Sequence, residues 1–193
     1  MTGLLPDHLI EAAIEAGAIA VTPWDRTRLQ PCSVDLTLSS TFLTYLEYGG
    51  IIDPASEEPM IAHGHNDVGC YVLGPRCFVL AGTREKITLD ARHAGTVSGK
   101  SSLARMGLSV HQTAGHIDPG FSGAITLELF NTTSRPLALW PGMRIAQIMF
   151  TRLVEPCDNM YGQSVTGSHY QGQGAPTVSR AWQRFTSDTH GAA

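Results

Sequence analysis

The run Ala124-Ile-Thr-Leu-Glu-Leu-Phe130 sets one carboxylate in a strongly apolar strand pattern. Strand side chains alternate between faces, so Ile125, Leu127 and Leu129 share one face and Thr126, Glu128 and Phe130 the other. On an open face Glu128 is an ordinary solvated residue. Inside a pocket it is a general base, able to take a proton from water and return it to a leaving group. The strand pattern leaves both readings open. Upstream, Ser98-Gly-Lys-Ser-Ser-Leu-Ala-Arg-Met-Gly107 reads as a glycine turn into a short helix that stops at Gly107. Unpaired backbone N–H groups in a first helical turn favour anions, and Lys100, Ser101 and Ser102 fall there. Ser101 and Arg105, four apart, share a helix face, while Leu103 and Met106 are expected to point to the core. A capped surface helix with incidental charge has the same pattern. The GxxxxGK[ST] spacing of a P-loop is absent.

Two further segments carry candidate polar groups. In Pro141-Gly-Met-Arg-Ile-Ala-Gln-Ile-Met-Phe150 one polar residue interrupts each strand face, and Gln147 is either a satisfied core amide or part of a site. Ser168-His-Tyr-Gln-Gly-Gln-Gly174 combines close-approach glycines with a tyrosine able to stack on a base, or is a plain mobile terminus. His111 and His116 flank Thr113-Ala114, and His63 and His65 share a Gly-rich loop. No H-x-E paired with P-C-x-x-C is present, so zinc-dependent deamination of a base is not expected.

These residues need a scaffold, and the pattern points to a mainly β one. A single amphipathic helix opens the chain, with Asp7 as its N-cap, Leu9, Ile10, Ala13 and Ile14 on one face and Gly17 as its stop. Strands are expected at Ser33–Leu38, Cys77–Ala81, Glu85–Leu89, Ala124–Phe130, Pro136–Leu139 and Arg144–Phe150, the second and third joined through Gly82-Thr83. Turn signals lie at Asp118-Pro-Gly120, Asn131-Thr-Thr-Ser134 and Pro141-Gly142. The polar stretch Ile52 to Gly69 reads as a surface excursion. Many short strands with Gly/Pro turns imply a sandwich, jelly roll or barrel. Residues 1–193 read as one domain, with a Gly-, Gln-, Ser- and Thr-rich tail from 161 to 193.

With 193 residues, 42% hydrophobic and 16% charged, the chain suits a compact fold with a core of its own. A formal net charge of -4 offers no global basic surface to a nucleic-acid polymer. No apolar run reaches the roughly 18 residues of a membrane span, and no secretory leader is read. The four cysteines form no CxxC pair and read as reduced thiols, so a cytoplasmic location is expected.

Taken together, Gly99-Lys-Ser-Ser-Leu-Ala-Arg-Met-Gly107, Thr113-Ala-Gly-His-Ile-Asp-Pro-Gly-Phe-Ser-Gly123 and Thr126-Leu-Glu128 resemble the core of the dCTP deaminases, within the dCTP deaminase and dUTPase superfamily. Gln30-Pro-Cys-Ser-Val-Asp35 is similar to their N-terminal motif, and Tyr161 with Tyr170-Gln-Gly-Gln-Gly174 and Ser179-Arg180 to their C-terminal segment. The resemblance covers nearly the whole chain. It implies a distorted β-barrel or jelly roll of the dUTPase type, assembled as a homotrimer with sites between subunits.

It further implies that Glu128 activates water for attack on cytosine C4. Ser101 and Arg105 would hold that water and stabilise the intermediate, and the backbone at Ala114 would orient the amino group. Lys100, Ser101 and Ser102 would take phosphates, and Asp118 the 3′-hydroxyl. Thr126, Leu127 and Glu128 would border the base. Gln147, Tyr161, His169, Tyr170 and Gln173 would close on the triphosphate, with magnesium bridging its oxygens. Gly115 after Ala114, together with Gln147 and the tail, resembles the branch that releases dUMP and diphosphate. The alternatives are release of dUTP, hydrolysis of dUTP only, and nucleotide binding without chemistry. Inhibition by dTTP is a family expectation. Three positions depart from the pattern: His169 stands where Lys is frequent, His116 where the dUMP-forming branch tends to carry an aromatic residue, and Ser98 where Glu is common.

Overall fold

The computed structural model describes residues 2–45, 51–56 and 62–184. In chain order its elements are β1 (Gly3–Leu4), α1 (Asp7–Glu15), β2 (Ile19–Thr22), β3 (Leu29–Gln30), β4 (Ser33–Tyr45), β5 (Ala62–His65), β6 (Tyr71–Leu73) and β7 (Phe78–Leu89). There follow β8 (His93–Gly99), α2 (Ser101–Ala104), β9 (Leu108–Ser109), β10 (His116–Ile117), β11 (Ser122–Asn131), β12 (Leu137–Leu139) and β13 (Arg144–Arg152). The fold is mainly β, as the alternation implies. The main path of hydrogen-bonded strands runs β10-β8-β13-β4-β7-β11-β9, with every pairing antiparallel.

The long strand β4 is the seam of this sheet. Its first half pairs with β13, its second with β5 and β7, and its register against β7 slips between Leu38 and Phe42. Both faces of Ser33–Leu38 are buried, which is why Asp35 and Thr37 end up inside alongside Val34, Leu36 and Leu38. The apolar core gathers Ile10, Leu36, Phe42, Leu127, Leu129, Ile145 and Phe150. Burying each such side chain contributes roughly 1.5–3 kcal/mol, so the strand alternation is the driving pattern.

The helix α1 differs from expectation at its start. Pro6 holds the cap position, and Asp7 is the first helical residue, its carboxylate accepting from the His8 N–H at 2.8 Å. An acid in the first turn suits the helix dipole as well as a cap would. Gly17 ends the helix as read, at φ 71°, and the Ala18 N–H returns to the Ala13 carbonyl at 2.9 Å.

Cys77–Ala81 and Glu85–Leu89 are not two strands joined at Gly82-Thr83. They form the single strand β7. Gly82 serves close approach instead of turning: a Cβ there would lie 3.0 Å from Pro176 Cδ and 3.2 Å from Ser39 Oγ. Beyond it the register with β11 slips between Ala124 and Thr126, and Thr83 Oγ1 fills the gap by accepting from the Ile125 N–H at 3.0 Å. The excursion from Ile52 is exposed where described and returns as the edge strand β5 against β4; residues 57–61 lie outside the described residues. No helix among the described residues is long and apolar enough to cross a membrane.

Candidate active site

The outward face of β11 forms the floor of a cleft of about 790 Å³. Thr126 and Glu128 line it together with Ile125, while Leu127 and Leu129 are turned into the core on the opposite face. One wall is the segment after β9. The Glu128 N–H donates to the Val110 carbonyl at 3.0 Å, and the Gln112 side chain donates to the Glu128 carbonyl at 3.3 Å. The Gln112 N–H donates to Glu128 Oε2 at 2.8 Å. The carboxylate is therefore aimed by backbone, with its other oxygen available to a ligand.

The wall is set by geometry that only particular residues tolerate. Thr113 sits at φ 121°, a conformation costing on the order of 1–3 kcal/mol. It persists because both flanks are held. On one side Glu128 grips Gln112. On the other the Gly115 carbonyl accepts from the Val97 N–H at 2.7 Å. A Cβ on Gly115 would lie 2.6 Å from the Val97 carbonyl oxygen, so no larger residue fits without moving the wall. After Ala114 the chain runs into β10 and the Asp118 turn, where His116 Nε2 donates to Asp118 Oδ1 at 3.1 Å.

The tail forms the roof. It lies along the free edge of β11: Gly172 N–H donates to the Ser122 carbonyl at 2.7 Å, and Ala124 N–H to the Gln173 carbonyl at 2.8 Å. The Gln173 amide donates back to the Ala124 carbonyl at 2.7 Å, and its oxygen accepts from Thr177 Oγ1 at 2.9 Å. Tyr161 packs edge-on to Phe121 at 5.6 Å between centroids, and its hydroxyl accepts from the Tyr170 N–H at 3.0 Å. Burial pushes the Tyr45 phenol up, partly offset by a hydrogen bond to the Ser179 backbone. The roof is tied to the floor by backbone pairing, in the way an added strand is.

A second polar centre lies at the seam. Asp35, 1% exposed, accepts from Lys100 Nζ at 2.5 Å and from Arg144 at 3.0 Å. Glu85, equally buried, accepts from the Thr37 N–H at 2.8 Å and its hydroxyl at 2.6 Å, and pairs with Arg28. Just beyond, α2 presents Ser101, Ser102 and Arg105 to solvent. The Arg105 N–H bonds the Ser101 carbonyl at 3.0 Å, which puts the two on one helical turn as expected. Among the described residues Arg105 has no ion pair.

Comparison with known proteins decides what this arrangement is related to. The dCTP deaminase-like family profile matches residues 4–153. The chain belongs to the dCTP deaminase-like family. Family relatives named dCTP deaminase, dUMP-forming, include one from Parafrankia, 46% identical over 186 residues, 95% of this chain and 92% of the relative. One from Salinispora tropica is 45% identical over 185 residues, 94% of this chain and 96% of the relative. The crystal structure of 2′-deoxycytidine 5′-triphosphate deaminase from Agrobacterium tumefaciens shares the fold, with a TM-score of 0.63 at 24% identity, over 78% of this chain and 48% of that one.

Within this family member the sequence-predicted residues divide into two groups. Glu128, Thr126, Ala114, Asp118, Tyr161, His169, Tyr170 and Gln173 line the one cleft. Lys100, Ser101, Ser102, Arg105 and Gln147 do not line it. Three expectations need correction. The Leu127 side chain is wholly buried in the core, on the face opposite the cleft, so it cannot border a base. Lys100, expected on phosphate, is held by Asp35. Met106, expected in the core, is 53% exposed because α2 ends at Ala104, before that position can turn inward. Gln112 was missed as a site residue: its contribution is a backbone N–H, which no side-chain pattern signals.

Proposed function

We propose that this chain deaminates dCTP and releases dUMP, diphosphate and ammonia. Family membership and the names of its relatives support the reading. The observation that carries it is the Glu128 carboxylate, fixed at 2.8 Å by the Gln112 N–H on the floor of a cleft roofed by the tail. With cytosine against Thr126 and Glu128, the free carboxylate oxygen takes a proton from water as the water oxygen bonds to C4. That proton passes to ring N3, giving a tetrahedral C4 bearing hydroxyl and amino groups. The carboxylate then carries the hydroxyl proton to the amino nitrogen, the C4–N bond breaks, ammonia leaves and the C4 carbonyl forms with N3–H retained. In the second step water attacks the α-phosphorus and diphosphate departs.

Asp118 accepts the 3′-hydroxyl. Tyr161, His169, Tyr170 and Gln173 in the tail cover the phosphates. Ser101, Ser102, Arg105 and Gln147 complete the site from another copy of the chain in a homotrimer, since within one copy they stand outside the cleft. Arg105 then supplies a permanent positive charge beside Glu128 and the intermediate.

Magnesium enters with the nucleotide. Asp35 is already paired with Lys100 and Arg144, and the ion would be carried on the phosphate oxygens. When bound it offsets phosphate charge. In this reading residues 1–193 act as one domain with 161–193 as its lid, the enzyme works in the cytoplasm, and dTTP inhibits by filling the same cleft. Incubation with dCTP and magnesium, followed by chromatography and ammonia assay, tests the reading. Equimolar dUMP, diphosphate and ammonia are expected. dUTP alone would remove the second step, and untouched dCTP would remove both.

A further inference from the structure

His169 has one ring nitrogen committed and the other unfilled. Nδ1 lies 3.0 Å from Gln183 Oε1. A carboxamide oxygen only accepts, so in this arrangement Nδ1 carries the proton. Nε2 is buried without a hydrogen-bond partner among the described residues, although His169 lines the cleft. Folded chains seldom leave a buried polar atom unpaired, so a ligand atom is the natural partner.

A neutral ring protonated at Nδ1 presents a lone pair at Nε2. Phosphate oxygens also only accept, and two acceptors cannot bond until a proton is inserted between them. We propose that binding of a nucleoside triphosphate in this cleft is linked to uptake of a proton at His169 Nε2. The proposal rests on the nucleotide reading of the cleft and adds to it a regulation by pH.

The surroundings of His169 carry charge of both signs. Arg180 donates to the His169 carbonyl at 2.6 Å and lies 5.9 Å over the Tyr170 ring, and Arg184 lines the cleft on the tail side. Asp118 and Glu128 line the same cleft from the β10–β11 side, with His116 bonded to Asp118, and Tyr45, Tyr161 and Tyr170 add hydroxyls. An arriving triphosphate adds negative charge to this set. Imidazole is the side chain whose charge changes between about pH 5 and 8. The complex binds more protons than the free chain, so affinity rises as pH falls through that range.

Titration calorimetry of the full chain with dCTP and magnesium tests this in a Glu128→Gln background, which spares the ligand. Run at one pH in buffers of different ionisation enthalpy, it reads proton uptake directly. Against His169→Lys, the His169 chain should take up on the order of half to one extra proton per dCTP. From pH 8 to 6 its affinity should gain roughly tenfold more than that of H169K. H169K carries a side chain that stays cationic over this range, and it subtracts the titration of the phosphate itself. With dCMP, which lacks the outer phosphates, the extra uptake should vanish. Equal uptake in the two chains, or an excess that persists with dCMP, overturns the proposal and leaves the deaminase reading standing. Failure of every variant to bind dCTP overturns both.

Discussion

Glu128 and Arg105 occupy opposite environments in the same chain. The carboxylate sits in a cleft whose wall grips it through a backbone N–H and whose roof is the chain's own tail. The guanidinium stands exposed at the end of a four-residue helix, followed by a half-exposed Met106. One region has its partners built in; the other is organised but bare. A short helix that carries an exposed apolar edge and a cation without an ion pair among the described residues is poorly explained by the stability of one copy, because exposed charge and exposed Met contribute little to it. It suits the shared site proposed above. The difference teaches that one copy gathers Glu128, Asp118 and the tail around a cleft and leaves Ser101, Ser102 and Arg105 outside it, which is what the proposed sharing of sites between copies requires.

Four measurements break or sharpen that contrast. The largest effect is expected from Glu128→Gln, with deamination falling about a thousandfold or more and dCTP binding retained. Loss of binding instead would make Glu128 a structural residue. Arg105→Ala should lower kcat by roughly a hundredfold or more, as removal of a transition-state charge does. Mixing it with the Glu128→Gln chain after subunit exchange should restore about a quarter of wild-type activity, since half the sites draw each intact residue at random. Absence of any recovery would place both residues in one copy's site.

Asp35→Ala should destabilise the fold by about 2 kcal/mol in denaturant titration, less than a fully buried pair because Lys100 can reach water. An unchanged midpoint would mean that Asp35 does not anchor the seam. The smallest effect is expected from Gln173→Ala, which removes two roof hydrogen bonds. Together they contribute about 1.4 kcal/mol, toward the lower end of the usual range, so the dCTP KM should rise roughly tenfold with little change in thermal stability. A matching fall in stability with no change in KM would show the tail to be packing only.

Much of the floor was legible before any coordinates. Alternation placed Glu128 opposite Ile125, Leu127 and Leu129, and the structure keeps that division for Leu127 and Leu129, while Ile125, beside the register slip, also reaches the cleft. Gly17 ended its helix where expected, while Pro6 took the cap expected of Asp7. The strand break at Gly82 was misread because a glycine in a strand has two meanings, turning and close approach, and only the position of Pro176 selects between them. The strand β8, with Gly, Thr and Ser among its residues, carried too little apolar contrast to stand out. The tail looked mobile by composition, yet its glycines allow the backbone approach by which it pairs with Ser122 and Ala124.

By itself the sequence determined the class of fold, the face on which Glu128 stands and the family. Periodicity and motif spacing are local, and they survive without knowledge of what packs where. Tertiary structure alone decided which candidate residues meet. Glu128 joins Asp118 and the tail, Lys100 turns to Asp35, Leu127 enters the core and α2 stays outside the cleft. These pairings depend on the bend of β4, the bulge opposite Thr83 and the path of the tail across Gly82. Each is a contact between segments far apart in the chain, and no spacing along the sequence encodes it.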